Sequence, residues 1–462
     1  MITAVVGAGG KTSLIKELAA KYRAENKTVF ITTSTRMFVE EDTLCTDDAE
    51  EIIAALKENG CVMAGIKEGQ KIRSLSEETY HKVCGNADVV LVEADGSKHM
   101  PLKVPNATEP VIPENADEIL VVCGLHGLGQ KANDCCHRLD LVKALLGIDD
   151  DTVITPHHVQ KMVTEGYVRP LSQKYPDKKI TVVPRHNGTL YQKTVAVMLT
   201  CGEEVSQIKA EWFLPQPKLI VCGGGHVGRE VAEIAAHLDF STRIIDDRAE
   251  LMTKDRFPNT EDVVCDSYDH IENYLEPGAC YVIVTPDYKA DYRCLSAILP
   301  TDFTYLGMIG SKKKVAAAMD KLREDDFDEA QIGRVFAPIG LAIHAVTPAE
   351  IAISILAQII QEKSKTHTAS ADRELLEIKE SGVLCVITEK QGSAPRGVGS
   401  MMFVGKEKVL GSIGGGESEN QAIEYAQNLT AVSAVEYTLN NKRNDGLDMV
   451  CGGTIRVLMI PV

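Results

Sequence analysis

The chain has 462 residues, 44% hydrophobic and 25% charged, and at about 150 residues per domain it has room for roughly three cores. Lysine plus arginine total 49 against 66 acidic residues, and a net charge of −17 makes the whole a poor binder of nucleic acid or anionic membrane. No run approaches the ~18 consecutive apolar residues of a membrane span, and the start, Met1 to Gly7, carries no export leader, so a cytoplasmic protein is expected.

In chain order, the first predicted unit covers 1–211. It opens with a strand over 2–6, a glycine turn and a helix over 12–22. β-like runs follow at 28–32, 88–93 and 118–122, and strands alternating with helices indicate an α/β unit with a mostly parallel sheet. The turn Gly7-Ala8-Gly9-Gly10-Lys11-Thr12-Ser13 aims backbone N–H groups and a helix N-terminus at an anion. It follows the short G-x-x-G-K-T form, since the strict Walker glycine falls on Val5. Gly7, Gly9, Gly10, Lys11, Thr12 and Ser13 are thus candidate contacts for ATP or GTP. The apolar strand ending in Glu93-Ala94-Asp95 has the layout of a metal-binding strand, which nominates Thr12 and Asp95 for Mg²⁺ and Lys11 and Asp95 for catalysis. Thr32 to Arg36, after the second strand, could form a phosphate- or metal-sensing loop; read as structure alone, Asp95-Gly96 is a turn and Thr32 to Arg36 a strand end, and taken together the three segments favour a nucleotide site.

The motifs at 7–13 and 32–37, with Glu93-Ala94-Asp95-Gly96-Ser97-Lys98, Pro101-Leu102-Lys103, Glu109-Pro110-Val111-Ile112-Pro113 and Cys136-His137-Arg138, resemble the YqeC family. That family comprises accessory proteins of selenium-dependent molybdenum hydroxylases, and the likeness covers roughly residues 1–200. Where a guanine-reading Asn-Lys-x-Asp motif would follow the strand at 180–183, this chain has Pro184-Arg185-His186-Asn187-Gly188. ATP and GTP both stay open.

The run Trp212 to Pro217, with two prolines and the chain's one tryptophan, reads as a linker. The second predicted unit, 217–363, has strands over 218–222 and near 241–245 and 280–284, and closes with a helix over 347–361. Gly223-Gly224-Gly225-His226-Val227-Gly228 is G-x-G-x-x-G after an apolar strand, and Asp246 falls near the ribose-binding position, roughly 20 residues on. A Rossmann unit follows, with Gly223, Gly225, His226, Gly228 and Asp246 as candidate dinucleotide contacts. Asp246 favours NAD over NADP, and the neighbouring Arg248 weakens that preference. His226, His270 and His344 are the histidines open to acid–base duty, none with a defined partner in sequence. The pieces at 223–228, 246–248, 285–287, 305–313, 338–340 and 347–354 resemble the Rossmann half of the xanthine dehydrogenase accessory (XdhC/CoxI) family.

A polar stretch over 362–371 reads as a second linker, and 373–462 as a small β-rich α+β unit with strands at 382–388, 401–404, 409–413 and 454–460. Three glycine-dense loops let backbone approach a bulky ligand, nominating Ser393, Arg396, Gly414, Gly415, Gly416, Cys451, Gly452 and Gly453. They resemble the other half of the XdhC/CoxI family, in reversed order. Many relatives place a cysteine after the triple glycine; Glu417 stands there here, leaving Cys451 as the matched catalytic thiol, with a buried small hydrophobe as its plain alternative. The chain's 13 cysteines contain no C-x-x-C pair, so reduced, mostly buried thiols and no metal cluster are expected.

The resemblance implies a maturation factor for molybdenum hydroxylases of the xanthine dehydrogenase type. It would bind the pterin–molybdenum cofactor, assist its sulfuration or selenation, and insert it into the apo-enzyme, acting as a homo-oligomer with a sulfur or selenium donor protein and supported by an NTPase site. An NAD(P)-dependent oxidoreductase with a regulatory P-loop unit is the first alternative and requires a catalytic acid/base facing the nicotinamide. A P-loop kinase is the second and requires an acceptor site.

Overall fold

The computed structural model describes residues 1–214, 217–366, 371, 373–439 and 453–462. The first part is built on a seven-stranded parallel sheet in the order Lys179–Arg185, Glu118–Gly124, Ile2–Gly7, Val89–Glu93, Val29–Thr33, Cys61–Ala64 and Thr43–Leu44. Its inner strands are almost wholly apolar because both faces are covered, as parallel sheets require. All strands point one way, so the glycine turn, the carboxylates after Val92 and the chain after Thr33 emerge along one edge. A short antiparallel ribbon of Arg36–Phe38, Lys71–Arg73 and Ile66–Glu68 overhangs that edge.

The central part is a six-stranded parallel sheet ordered Asp262–Cys265, Thr242–Asp246, Leu219–Cys222, Ala279–Ile283, Phe303–Met308, Val335–Phe336, the 3-2-1-4-5-6 order of dinucleotide-binding folds. Its closing helix, Pro348–Thr366, packs beside the helix His226–His237 and runs past the expected end at Gln361. The last part is a five-stranded antiparallel sheet, Val409–Gly411, Met401–Val404, Val383–Gln391, Thr454–Pro461, Ser433–Thr438, covered by the helix Gly416–Gln427.

The cores do not follow chain order. Both apolar clusters of the Rossmann sheet are drawn from residues between Leu219 and Ile359 alone. By contrast, Trp212, Met198 and Val195 share one continuous cluster with Leu384, Phe403, Leu458 and Ile460 of the last sheet. The segment expected to begin a linker is therefore an anchor: Trp212 is 2% exposed and Phe213 7%. A large indole excluded from water contributes about 1.5–3 kcal/mol, which no solvated linker would give up. Among the described residues, no helix is long and apolar enough to cross a membrane.

Candidate functional site

The first glycine turn lies where the sequence places it, between the strand Ile2–Gly7 and the helix Lys11–Ala24. Gly9 has φ +80°, and a Cβ there would stand 2.5 Å from Gly124 Cα and from the Pro101 carbonyl oxygen. Gly9→Ala is accordingly expected to cost about 1–3 kcal/mol of stability, read as a lowered urea midpoint. Two of the turn's donors are spent inside the protein: Gly7 N–H donates to Asp95 Oδ2 at 3.1 Å and Ala8 N–H to the Val122 carbonyl at 2.9 Å. Gly9 and Gly10 line the open cleft, and Gly7 does not.

Beneath the turn lies a buried charge network. Asp95 is fully enclosed; its Oδ1 faces Lys11 Nζ at 3.2 Å and its Oδ2 faces Lys103 Nζ at 3.1 Å. The Tyr167 hydroxyl donates to the same Oδ2 at 2.9 Å, and burial beside that carboxylate pushes the phenol well above its ordinary value. Lys103 continues to Glu109 Oε2 at 2.6 Å, and Glu109 Oε1 to Arg138 Nη2 at 2.9 Å. Lys11 itself donates to the Gly7 carbonyl at 2.8 Å, so its ammonium is stowed under the loop.

The oxygens of Asp95, read from the sequence as a metal ligand, are turned to two ammonium groups, a phenol and a backbone N–H. The carboxylate that faces the cleft is Glu93, whose Oε2 accepts from Thr12 Oγ1 at 3.2 Å. Burial raises the Glu93 carboxyl above its ordinary value against the pull of Lys11. In sequence, a strand ending in two carboxylates does not say which of them turns inward.

The cleft itself has a volume of about 500 Å³. Besides Lys11, Thr12 and Ser13 it is lined by Arg36, Lys71, Lys98 and Arg185 and by His99, His126 and His186, against only Glu40 and Glu93. In a chain of net charge −17, such a gathering of cations marks a place for an anion. Of these, Lys11, Thr12 and Ser13 are visible in sequence through their motif; the remaining cations come from four separate segments and share no spacing.

The second glycine turn has the expected geometry and a different electrostatic state. Gly223 has φ +123°, and a Cβ at Gly228 would stand 1.8 Å from the Gly223 carbonyl oxygen, the tight strand–helix packing that the motif serves. Asp246, however, is fully enclosed. It accepts from Gly224 N–H at 2.6 Å and from Arg248 N–H, Nε and Nη2 at 3.0, 2.8 and 2.6 Å. Burial would raise its carboxyl, but Arg248 and the two backbone donors hold it below the ordinary value. The oxygens of Asp246, the expected ribose contact, are turned to Arg248 and the Gly224 N–H. His226 is exposed at the first turn of its helix, and His344 is exposed as well. His270, partnerless in sequence, pairs with Asp266 at 2.9 Å on the surface.

In the last sheet the loops converge: a Cβ at Gly453 would stand 2.1 Å from the Ser393 carbonyl oxygen, and one at Gly414 3.6 Å from Pro395. Ser393, Arg396 and Gly416 are exposed. Two of the donors expected to face a ligand, Gly414 and Gly415 N–H, are taken by Glu419 Oε2 at 3.2 and 3.0 Å, which also accepts from Ile413 N–H at 2.9 Å and from Ser412 Oγ at 2.6 Å. Cys451 and Gly452 lie outside the described residues. The cysteines among the described residues are free thiols.

Comparison with known proteins follows the same three parts. Residues 3–140 match the family profile of the YqeC protein, residues 219–359 that of the XdhC Rossmann domain, and residues 375–437 that of the XdhC and CoxI family. YqeB of Escherichia coli (strain K12) is 29% identical over 196 residues, 42% of this chain and 36% of that one. YqeC of the same strain is 34% identical over 162 residues, 33% of this chain and 63% of its own. A probable xanthine dehydrogenase subunit of Bacillus subtilis (strain 168) is 22% identical over 238 residues, 51% of this chain and 65% of its own. In each case the match spans less than two thirds of the relative. The chain joins a YqeC-type unit to XdhC-type units, with the Rossmann unit ahead of its companion.

Proposed function

We propose that the chain is an accessory factor for molybdenum hydroxylases of the xanthine dehydrogenase type, in which a Mg²⁺–nucleoside triphosphate at the first glycine turn gates delivery of the pterin–molybdenum cofactor. The observation that carries the nucleotide half is the cation-lined cleft over Gly9, Gly10 and Lys11. The accessory half is supported by the three family matches.

The residues fit a Mg²⁺–nucleotide. Thr12 Oγ1 and Glu93 Oε2, within 3.2 Å of each other, would hold the ion, which when bound neutralises charge on the β- and γ-phosphates. Gly9 and Gly10 offer backbone donors, and Lys11 would exchange the Gly7 carbonyl for a phosphate oxygen. Glu93→Gln is expected to weaken Mg²⁺-dependent turnover about 10–100-fold while Mg²⁺-free nucleotide binding persists, as titration of both forms would show.

The other two cofactor readings fit less well. With Glu419 filling the donors of 413–415, the described residues of the last sheet offer fewer donors to a pterin phosphate than the sequence suggests. With Arg248 on Asp246, the NAD(P) reading of the Rossmann unit loses its ribose contact, and the oxidoreductase alternative with it. The test is functional: apo-hydroxylase supplied with pterin–molybdenum cofactor should gain activity faster with this protein and a Mg²⁺–nucleotide than with either alone. No gain with ATP or GTP would overturn the proposal.

A further inference from the structure

The cleft over Lys11 has two arms. The strand Lys179–Arg185 and the strand Val29–Thr33 stand four places apart in the parallel sheet, with the glycine turn between them. At about 4.8 Å per strand, their ends are separated by roughly 19 Å. One arm carries Arg185, His186 and Asn187, with Arg185 lying over Gly10 and paired to Glu17 at 2.8 Å. The other carries Arg36, Phe38, Lys71, Lys98 and His99.

On the nucleotide reading, Glu93 beside Thr12 would seat the metal, and with it the terminal phosphates, over the strand Val89–Glu93. The nucleoside would then extend toward Arg185, which leaves the far arm beyond the terminal phosphate. That arm is not built as a plain wall. Phe38 is 44% exposed, unusual for a phenylalanine, and stacks on His99 with ring centroids 5.2 Å apart and 27° between planes. Lys71 Nζ stands 4.5 Å from the Phe38 centroid, paired across the ribbon. Arg36 already meets Glu68, but among the described residues neither Lys71 nor Lys98 has an acidic partner. Lys98 and His99 both adopt left-handed backbone, at φ 48° and 63°, which bulky residues avoid unless the surroundings hold them there.

We infer that this arm is a second binding site, for a planar heterocycle bearing an anionic group, seated on the Phe38–His99 stack and held by Lys71 and Lys98. Flat rings stack on aromatic faces whatever their edge pattern, while the two unpaired ammonium groups select for negative charge. The inference rests on the nucleotide reading for the occupant of the first arm.

The probe is 6-carboxypterin, which is flat, carboxylate-bearing and fluorescent, titrated into the full chain with and without saturating Mg²⁺–AMPPNP. We expect it to bind in both conditions. Phe38→Ala, on an exposed side chain, should weaken the probe about tenfold or more and leave AMPPNP affinity unchanged, and Lys71→Gln, on a lysine that also lines the nucleotide cleft, should weaken the probe more than AMPPNP. Three results would overturn the second site: no probe binding to a chain that binds AMPPNP, displacement of the probe by AMPPNP, or equal loss of both ligands in Phe38→Ala, which would make Phe38 the seat of the nucleotide base. Failure of AMPPNP to bind the unaltered chain is a separate result and strikes the nucleotide reading first, removing the notion of a second occupant with it.

Discussion

Replacing Lys103 by methionine is expected to destabilise the protein by about 3–5 kcal/mol, the range for breaking a buried ion pair from one side. The Lys103 side chain is fully enclosed, its ammonium lying 3.1 Å from Asp95, 2.6 Å from Glu109 and 2.5 Å from the Gly96 carbonyl. Methionine fills the volume but supplies none of the three donors, leaving Asp95 to Lys11 and Tyr167, Glu109 to Arg138, and the Gly96 carbonyl without its ammonium. An exposed pair such as Lys27–Glu25 would cost little by comparison. Urea unfolding of both proteins gives the difference, and a change below about 1 kcal/mol would show that the network adds nothing to the fold.

The same substitution carries a pH signature. Burial would raise the Glu109 carboxyl, but hydrogen bonds from Lys103 and Arg138 hold it below its ordinary value of 4.5. A depressed carboxyl adds stability above the unfolded value and loses it as pH falls through the folded value. The gap between the unaltered protein and Lys103→Met should therefore be widest near neutrality and close in acid below pH 4.5. A gap that widened on acidification would reverse the assignment.

Lys11→Ala is expected to do the opposite: little to the fold and much to the nucleotide. Asp95 would keep Lys103, Tyr167 and the Gly7 N–H, so no buried carboxylate is orphaned. On the nucleotide reading proposed above, loss of the charge that would move onto the β- and γ-phosphates should reduce turnover about 100- to 1000-fold. Calorimetry with ATP and GTP and a single-turnover hydrolysis assay read this directly. Unchanged turnover in a folded Lys11→Ala protein would move the chemistry elsewhere. The two lysines touch one carboxylate, but Lys103 also serves Glu109 and the Gly96 carbonyl, so its loss costs structure and the loss of Lys11 costs activity.

Much of the fold is legible in the residues because its signals are local. Apolar runs mark the strands Val89–Glu93 and Glu118–Gly124 to within two residues, and glycines at fixed offsets mark both strand–turn–helix junctions. What stays hidden depends on chain-distant partners. Asp95 is buried by Tyr167, which lies 72 residues away, and no pattern near Asp95 announces it. Asp246 has the right spacing for a ribose, and Arg248 is visible two residues on; that the guanidinium folds back onto the carboxylate is a matter of rotamer, which spacing does not encode. Glu419 escapes notice because a helical glutamate reads as solvent-facing, although the glycine loop just before the helix offers it three backbone donors. The second arm of the cleft is hidden for a related reason: Arg36, Lys71 and Lys98 sit on three excursions that only the folded ribbon brings together.

The shared apolar cluster has a consequence for how the chain is made. Trp212 and the helix Leu190–Cys201 find partners on strands that a ribosome reaches last, after the whole Rossmann segment has been synthesised. The Rossmann segment can close its two clusters as soon as it emerges, whereas the leading part must wait with an uncovered apolar flank. In the finished protein the Rossmann body is inserted between two parts that share one apolar cluster. During translation the nascent leading half is therefore the stretch most dependent on chaperone cover, and a ribosome stalled before Val383 would hold it in its most aggregation-prone state.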